Sequence, residues 1–318
     1  MPTLKVAVVG AGAMGSLFGG YLSAAGQEVW LVDPWVEHVR AIAERGLQIV
    51  EPGGETRLVR PRAVSRPEGV GPCDLILVFV KSYHTEQAAA GLGCLMGEDT
   101  VVLTLQNGLG NVDVLARRVP RTALLAGVTG QGANVLGPGR IHHAGTGDTV
   151  IGELDGSVTE RLRRLVGVFN EAGLPASSSS NIQGIIWGKL LVNVAINPLT
   201  AILKVRNGQL LEIPGAADIM KDAVAEAIAV ATGAGVRLPF SDPWAHVEEV
   251  TRRTGANRSS MLQDVEAGRP TEIDVISGAV AREGARLGIP APVNLTLTRL
   301  VKCLEELNRT GALAAGRG

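Results

Sequence analysis

LKVAVVGAGAMG, residues 4–15, is the stretch that decides the fold of the first half of the chain. Its first part, Leu4 to Val9, is a short run rich in valine, typical of a strand buried on both faces of a parallel sheet. Gly10 ends the run, and small residues with helical spacing follow to about Ala25. A second apolar run, Glu28 to Val32, then completes a strand–helix–strand unit.

The glycines of this stretch fit the pattern G-x-G-x-x-G. In a chain with 41 glycines the pattern alone is weak, but here it follows a strand and opens a helix, which is the context the fingerprint requires. Gly10 permits the tight turn, Gly12 lets the backbone approach a pyrophosphate, and Gly15 lets the helix pack closely on the strand. The pattern predicts a dinucleotide site formed by Gly10, Ala11, Gly12, Ala13, Met14 and Gly15.

A carboxylate ends the second strand of this unit. Asp33 lies 23 residues after Gly10, where it can accept hydrogen bonds from the adenosine ribose and would repel a 2′-phosphate. Pro34 and Trp35 follow, and the first basic side chain is Arg40. This favours NAD over NADP; the alternative is that Asp33 caps the next helix.

Strands and helices alternate through the first half of the chain. This alternation predicts right-handed crossovers and a doubly wound α/β sheet. The segments are helical at Val36–Arg45, Thr85–Leu92 and Thr159–Ala172, and extended at Asp74–Val80, Val101–Gln106 and Thr149–Glu153.

The pattern changes after a serine run. Ser177–Ser180 is typical of a linker, so we expect a Rossmann-type dinucleotide-binding domain over residues 1–176 and a helical substrate and dimerisation domain over 181–310. The second half has helical periodicity at Ile185–Val194, Ala216–Thr232, Trp244–Arg253, Asp274–Leu287 and Asn294–Asn308.

Composition excludes several classes of partner. With 30 Lys plus Arg against 31 Asp plus Glu, and no basic run longer than two residues, nucleic acid is not an expected ligand. Val6–Gln27 is uncharged and long enough to span a membrane, but its six glycines indicate a buried strand, turn and helix, and no other segment competes as a span. Three cysteines without metal-ligand spacing indicate reduced thiols and a cytoplasmic protein, and no histidine spacing predicts a metal site.

Three polar residues interrupt the first apolar helix of the second half. Lys189, Asn193 and Asn197 are spaced i, i+4, i+8 and so lie within about 80° of one helix face. A lysine on an apolar helix favours a pocket, while the alternative is a lysine that reaches water beside two packing asparagines. Further along, Glu272 follows Pro270-Thr271 at a predicted helix start, where it could equally be a first-turn carboxylate.

These motifs carry a resemblance. From the glycine pattern through Lys81, Gln106-Asn107-Gly108, the block W-x-K-L-x-x-N-x-x-x-N-P-L-T, S-S-M-L-Q-D and G-R-x-T-E-I-D, residues 4 to 305 resemble the ketopantoate reductase family. The resemblance implies hydride transfer from a nicotinamide cofactor to the 2-keto group of ketopantoate, giving D-pantoate for pantothenate biosynthesis. It also implies a homodimer.

The resemblance also implies roles for individual residues. Lys189 is implied to be the general acid and Glu272 to hydrogen-bond within its site, which is sensible because a carboxylate keeps a buried lysine charged. Asn193, Asn197 and Ser260 match substrate-binding positions, and Asn107 and Lys81 match positions beside the cofactor.

The chain departs from the family pattern at the second strand. Members that use NADPH commonly have an arginine where this chain has Pro34, so Asp33 favours NAD and leaves NADP as the alternative. An NAD-dependent D-2-hydroxyacid dehydrogenase acting on another branched or aromatic 2-keto acid therefore stays open. A non-catalytic NAD-sensing module would have no use for Lys189.

Overall fold

The computed structural model describes residues 2–311 of the 318-residue chain, which form two compact units. The first unit runs to Gln106 and resumes over Asn111–Ile182. The second unit comprises Asn107–Gly110 and the chain from Gln183 onward. Four residues of the second unit therefore come from a point in the sequence at which the first unit is not yet complete.

The first unit alternates strands and helices throughout. Three single-turn 3₁₀ helices also occur, at Ser82–His84, Leu92–Leu95 and Arg121–Ala123. The regular elements are β1 (Lys5–Val9), α1 (Ala13–Ala24), β2 (Glu28–Val32), α2 (Val36–Arg45), β3 (Leu47–Val50), β4 (Thr56–Val59), β5 (Arg62–Val64), β6 (Leu75–Val78), α3 (Thr85–Ala90), β7 (Val101–Thr104), α4 (Asn111–Leu115), β8 (Leu124–Thr129), β9 (Gly132–Gly137), β10 (Arg140–Gly145), β11 (Thr149–Glu153), α5 (Glu160–Glu171) and β12 (Ala176–Ser178).

An eight-stranded sheet forms the centre of the first unit, in the order β12-β11-β8-β7-β6-β1-β2-β5. All neighbouring strands pair in parallel except β8 and β11. The strand order reverses at β1, which lies between β2 and β6, and such a switch point is where doubly wound sheets bind ligands. The predicted Rossmann-type fold is confirmed.

A second sheet was not predicted from the sequence. It has four strands in the order β4-β3-β10-β9, and it packs on the opposite side of α1 from the main sheet. Gly20 makes room for the second sheet, since a Cβ added there would lie 2.6 Å from Ile49 of β3, and Gly19 does so for the main sheet, where a Cβ would lie 2.4 Å from Leu31 of β2. The alternation of these strands is short and broken by glycine and proline, so periodicity could not reveal them.

The predicted linker at Ser177–Ser180 is in part a strand. Ala176–Ser178 is β12, an edge strand that pairs in parallel with β11 through Thr149–Ala176 and the two following pairs. An edge strand uses only one side of its backbone for pairing and tolerates exposed serines, so its composition resembles that of a linker. The chain changes unit at Ile182 and Gln183 instead.

The second unit is helical in its described residues, as predicted. A 3₁₀ turn at Ile273–Val275 precedes α11, which therefore begins three residues after the predicted start at Asp274. The two shortest helices, which begin at Gln209 and Ser260, were not predicted. The helices are α6 (Ile182–Leu203), α7 (Gln209–Glu212), α8 (Pro214–Gly233), α9 (Pro243–Arg253), α10 (Ser260–Glu266), α11 (Ser277–Leu287) and α12 (Pro292–Arg309).

Helix α6 corrects one further expectation. Val6–Gln27 splits into β1, a turn and α1 as predicted, but among the described residues α6 is long and apolar enough to cross a membrane by length and composition. Of the 18 residues that meet this criterion, 67% are buried within the protein. The core helix of a globular unit has the same properties, and the exclusion of a membrane partner stays a prediction.

Candidate active site

The glycine turn lies between β1 and α1 at the switch point of the main sheet. Gly10 has φ +95°, and a Cβ added there would lie 2.5 Å from the backbone nitrogen of Val80. A Cβ added at Gly15 would lie 1.9 Å from the carbonyl oxygen of Gly10. Both glycines are therefore required by the close approach of backbones, whereas the sequence predicted a tight turn at Gly10 and close packing of helix on strand at Gly15.

Gly12 differs from its two neighbours in the motif. A Cβ added there would have no atom of the protein within 4 Å, so the residue is not required for packing. It is the N-cap of α1, no side chain caps that helix, and its first turn carries no acidic residue. An uncapped helix N-terminus beside open space suits the pyrophosphate of a dinucleotide. The residues present therefore fit such a cofactor.

Asp33 follows β2 and is partly buried. Its Oδ1 accepts the backbone N–H of Trp35 at 2.9 Å. Trp35 is itself the N-cap residue of α2, and no side chain caps that helix. The alternative that Asp33 caps α2 is thus not what the structure shows. Within residues 2–311 its Oδ2 accepts no hydrogen bond, which leaves an acceptor at the position expected for the ribose.

A buried histidine that no sequence motif marks supports the glycine turn. Nδ1 of His38 accepts the N–H of Gly139 at 3.1 Å, so the ring proton lies on Nε2 and is donated to Oγ of Ser16 at 3.1 Å. That hydroxyl donates to the carbonyl of Ala11 at 2.7 Å. Burial lowers the pKa of His38, with Asp33 opposing the shift. A neutral histidine thus links the glycine turn to the turn between β9 and β10.

Lys81 directly follows Val80, the residue at which the chain after β6 meets the glycine turn. It is the N-cap residue of the 3₁₀ helix Ser82–His84, and it is partly buried. Because Val80 contacts the turn at Gly10, Lys81 is near the carboxyl end of the switch-point strands. This is compatible with its predicted place beside the cofactor.

Helix α6 carries Lys189, Asn193 and Asn197 without interruption. Pro198 lies inside the helix and has no N–H for the carbonyl of Val194. Asn197 is 6% exposed, and its backbone carbonyl accepts a hydrogen bond from Oγ1 of Thr200 at 3.0 Å.

Lys189 is partly buried, and the pKa of its ammonium group lies below that of an exposed lysine. Burial lowers the pKa of its ammonium group to about 8, although the charge of Glu272 opposes the shift. Glu272 is 7% exposed and accepts a hydrogen bond at Oε2 from Nδ2 of Asn107, at 3.4 Å. The structure thus groups Lys189, Glu272 and Asn107 within the second unit, although they are far apart in the sequence.

Ser260, predicted to bind substrate, is exposed at the first position of α10. Its neighbour Ser259 is buried: Oγ of Ser259 caps α10 by accepting the N–H of Leu262, and it lies 2.6 Å from Oγ1 of Thr200 on α6. The S-S pair therefore divides into a structural serine that ties α10 to α6 and a solvent-facing one. Spacing alone could not distinguish these two.

Comparison with known proteins places these residues in a family. The model described as "Ketopantoate reductase PanE/ApbA" matches residues 6–156, and the model described as "Ketopantoate reductase PanE/ApbA C terminal" matches residues 181–305. The chain is 40% identical over 299 residues to the 2-dehydropantoate 2-reductase of Halobacterium salinarum, covering 94% of this chain and 98% of that one.

Two solved structures resemble this chain over nearly its whole length. A ternary structure of D-mandelate dehydrogenase with NADH and anilino(oxo)acetate is 34% identical with a TM-score of 0.91, covering 96% of this chain and 99% of that one. A PanE/ApbA family ketopantoate reductase from Ralstonia eutropha JMP134 is 36% identical with a TM-score of 0.89 and the same coverage.

Proposed function

The chain belongs to the ketopantoate reductase family, and from this premise we propose that it reduces ketopantoate to D-pantoate with NADH, using Lys189 as the general acid. Membership makes it a nicotinamide-dependent oxidoreductase that acts on a small 2-keto acid. The observation that carries the general-acid role is the ammonium group of Lys189, whose pKa burial lowers to about 8 beside the buried carboxylate of Glu272.

A reduced nicotinamide supplies the hydride that the carbonyl carbon accepts. Lys189 gives a proton from Nζ to the carbonyl oxygen, so that the double bond becomes an alcohol and the lysine is left as a neutral amine. Water then returns a proton to Nζ. A group whose pKa lies near the working pH is efficient in this role, because it is mostly protonated yet releases its proton readily.

Glu272 acts through charge in this scheme. Its carboxylate favours the ammonium form of Lys189 against the effect of burial, and the amide of Asn107 helps to hold it in place. Asn193, Asn197 and Ser260 are proposed to bind the substrate. On α6, the asparagines stand one and two turns from Lys189, so a substrate held by their amides extends along the helix from the reacting carbonyl.

The preference for NADH rests on Asp33. A carboxylate with a free oxygen suits the two hydroxyls of an unphosphorylated ribose and repels a 2′-phosphate. Gly10 to Gly15, with Lys81 and Asn107, are proposed to contact the rest of the cofactor. NADP stays the alternative.

A second candidate function is favoured by two observations. The chain has a TM-score of 0.91 with a D-mandelate dehydrogenase that was solved with NADH, and Asp33 gives it the same expected cofactor. The substrate would then be an aromatic or longer branched 2-keto acid, with the same chemistry at Lys189.

One set of assays separates these functions. Oxidation of NADH and of NADPH is followed with ketopantoate and with the phenyl-substituted 2-keto acid, and kcat/KM is compared for the four pairs. We expect ketopantoate with NADH to be preferred. A preference for the phenyl substrate would assign the second function, and no turnover with any 2-keto acid would reject both.

Two further properties are proposed from the family and the composition. A homodimer follows from the resemblance, and sedimentation of the purified protein at twice the chain mass of 33.1 kDa would support it. A cytoplasmic location follows from the cysteines, since Cys73, Cys94 and Cys303 are free thiols.

A further inference from the structure

Glu272 lies outside the regular helices, between α10 and the 3₁₀ turn at Ile273–Val275. No helix precedes it directly, so helical hydrogen bonds do not fix its position from the N-terminal side. We call Thr271–Val275 the Glu272 turn. Within it, the N–H of Ile273 donates to Oγ1 of Thr271 at 3.2 Å, and the N–H of Val275 donates to the carbonyl of Glu272 at 3.1 Å. These two local bonds shape the turn but do not attach it to the rest of the unit. Its position must come from contacts with other elements.

One attachment comes from Glu305 on α12. Its Oε1 accepts both the backbone N–H of Thr271, at 2.8 Å, and the hydroxyl of Thr271, at 2.6 Å. Thr271 is 3% exposed and the Glu305 side chain 16%, so both bonds are largely shielded from water. Hydrogen bonds to an ionised acceptor are short and strong under these conditions.

The same carboxylate reaches the other side of the turn through a lysine. Oε2 of Glu305 accepts from Nζ of Lys302 at 3.0 Å, and that ammonium also contacts Oδ2 of Asp274 at 2.6 Å. Burial opposes the charge on Lys302, but the hydrogen bonds to Asp274 and Glu305 outweigh it and raise its pKa. Glu305 and Lys302 thus hold the residues on both sides of Glu272.

On the opposite side, the turn meets Asn107–Gly110, the early segment of the chain that belongs to the second unit. The N–H of Leu109 donates to the carbonyl of Val275 at 2.9 Å. A Cβ added at Gly108 would lie 2.3 Å from that carbonyl oxygen, so no larger residue fits without a shift. With the bond from Asn107 to Glu272, the turn is held between this segment and α12.

We propose that Glu305 is a positioning residue for the reaction, which holds the Glu272 carboxylate against Lys189 by fixing both sides of the turn through Thr271 and Lys302. This rests on the proposed function of Lys189 and Glu272 and adds a residue that contacts neither substrate nor cofactor. A carboxylate is required because three donors converge on it, whereas a glutamine would place an amide N–H₂ against Lys302 or against Thr271.

The proposal differs from a purely structural role in one measurable way. If Glu305 only stabilised α12, its loss would lower the melting temperature and leave the acidity of Lys189 unchanged. If Glu305 positions Glu272, its loss lets that carboxylate move away. The pKa of Lys189 then falls below about 8, because burial is no longer opposed to the same extent.

The test compares Glu305→Ala with Glu306→Ala in the full-length enzyme. Glu306 is the next residue on the same helix and pairs with Arg309 at the surface, so it is a matched control. A fall of one unit in the pKa of Lys189 lowers its protonated fraction about ninefold at pH 9 and about 1.1-fold at pH 6. We expect kcat/KM for 2-keto acid reduction to follow these ratios in Glu305→Ala and to stay unchanged in Glu306→Ala.

A second readout does not depend on turnover. The Nζ titration of Lys189 is followed by NMR of ¹³C-labelled lysine, with the signal assigned from its absence in Lys189→Met. A lower midpoint in Glu305→Ala supports the proposal, and an unchanged midpoint overturns it even if the melting temperature falls. If Lys189→Met keeps full turnover, the general-acid role fails, while the titration still decides the role of Glu305.

A milder variant covers the case in which Glu305→Ala does not fold. Thr271→Val removes one of the two donors that Thr271 presents to Glu305 and keeps the size of the side chain, although it also removes the acceptor of the Ile273 N–H. We expect a smaller shift of the Lys189 midpoint in the same direction, and no shift in this variant would contradict the proposal.

Discussion

Replacing Glu272 by glutamine tests the central claim about the acidity of Lys189. The substitution keeps the size of the side chain and an oxygen that can accept the hydrogen bond from Asn107, but it removes the negative charge. That charge is the one influence found to raise the pKa of Lys189 against burial. Its loss should therefore shift the basic limb of the pH–rate profile to lower pH.

The size of the shift follows from the two opposing effects. A nearby opposite charge commonly moves a pKa by about 1–3 units, so the pKa of Lys189 should fall from about 8 to between about 5 and 7. At pH 7 the protonated fraction would fall from about 90% to between about 50% and 1%. Reduction of the 2-keto acid should then slow by about twofold to ninetyfold at pH 7, and lowering the pH should recover it.

The measurement is kcat/KM for reduction from pH 5 to pH 10, with cofactor affinity determined separately. Glu283→Gln is the control, because Glu283 is paired with Arg286 on α11 and should leave the profile unchanged. A Glu272→Gln variant that folds and keeps its basic limb near pH 8 would refute the link between this carboxylate and Lys189. Loss of activity equal at every pH would also count against it.

Three further predictions concern the proton donor, the cofactor and the glycine turn. Lys189→Ala should lower kcat by about 10²-fold or more while cofactor affinity changes little, as measured by steady-state kinetics and by titration of NADH binding. Asp33→Ala combined with Pro34→Arg should move the ratio of kcat/KM toward NADPH, since a cation replaces a carboxylate near the ribose. Gly12→Ala should weaken NADH binding by about tenfold or more without lowering the melting temperature, whereas Gly15→Ala should lower the melting temperature because its Cβ meets the carbonyl of Gly10.

Each of these has a result that would contradict it. An unchanged kcat in a folded Lys189→Ala protein would reject the general-acid role. An unchanged NADH-to-NADPH ratio would show that Asp33 does not face the ribose. Equal stability of the Gly12→Ala and Gly15→Ala variants would mean that the two glycines do not have the separate roles that their surroundings indicate.

The periodicity of the sequence was sufficient for the main architecture. Strands buried on both faces appear as apolar runs, and a switch from alternation to helical spacing marks the second unit, since each pattern follows directly from backbone geometry. Periodicity did not predict the elements whose hydrophobic pattern was short or ambiguous. The second sheet and the edge strand β12 have few residues, and their pairing depends on partners far away in the chain.

Candidate residues could be chosen from the sequence only where a motif or a helical spacing carries them. Lys189, Asn193 and Asn197 share a face because helix geometry relates residues four apart. Asn107 and Glu272 were each chosen separately, and no local pattern relates them, because their hydrogen bond joins positions 165 residues apart.

The sequence by itself determined the α/β character of the first half, the helical character of the second, the glycine turn and the residue types available for the chemistry, because these depend on local geometry and on the properties of single side chains. Only the tertiary structure decided the acidity of Lys189, the support of the glycine turn by His38 and the attachment of the Glu272 turn to Glu305. The physical reason is that burial and hydrogen bonds between distant segments arise when the chain folds, and neither leaves a periodic mark on the sequence.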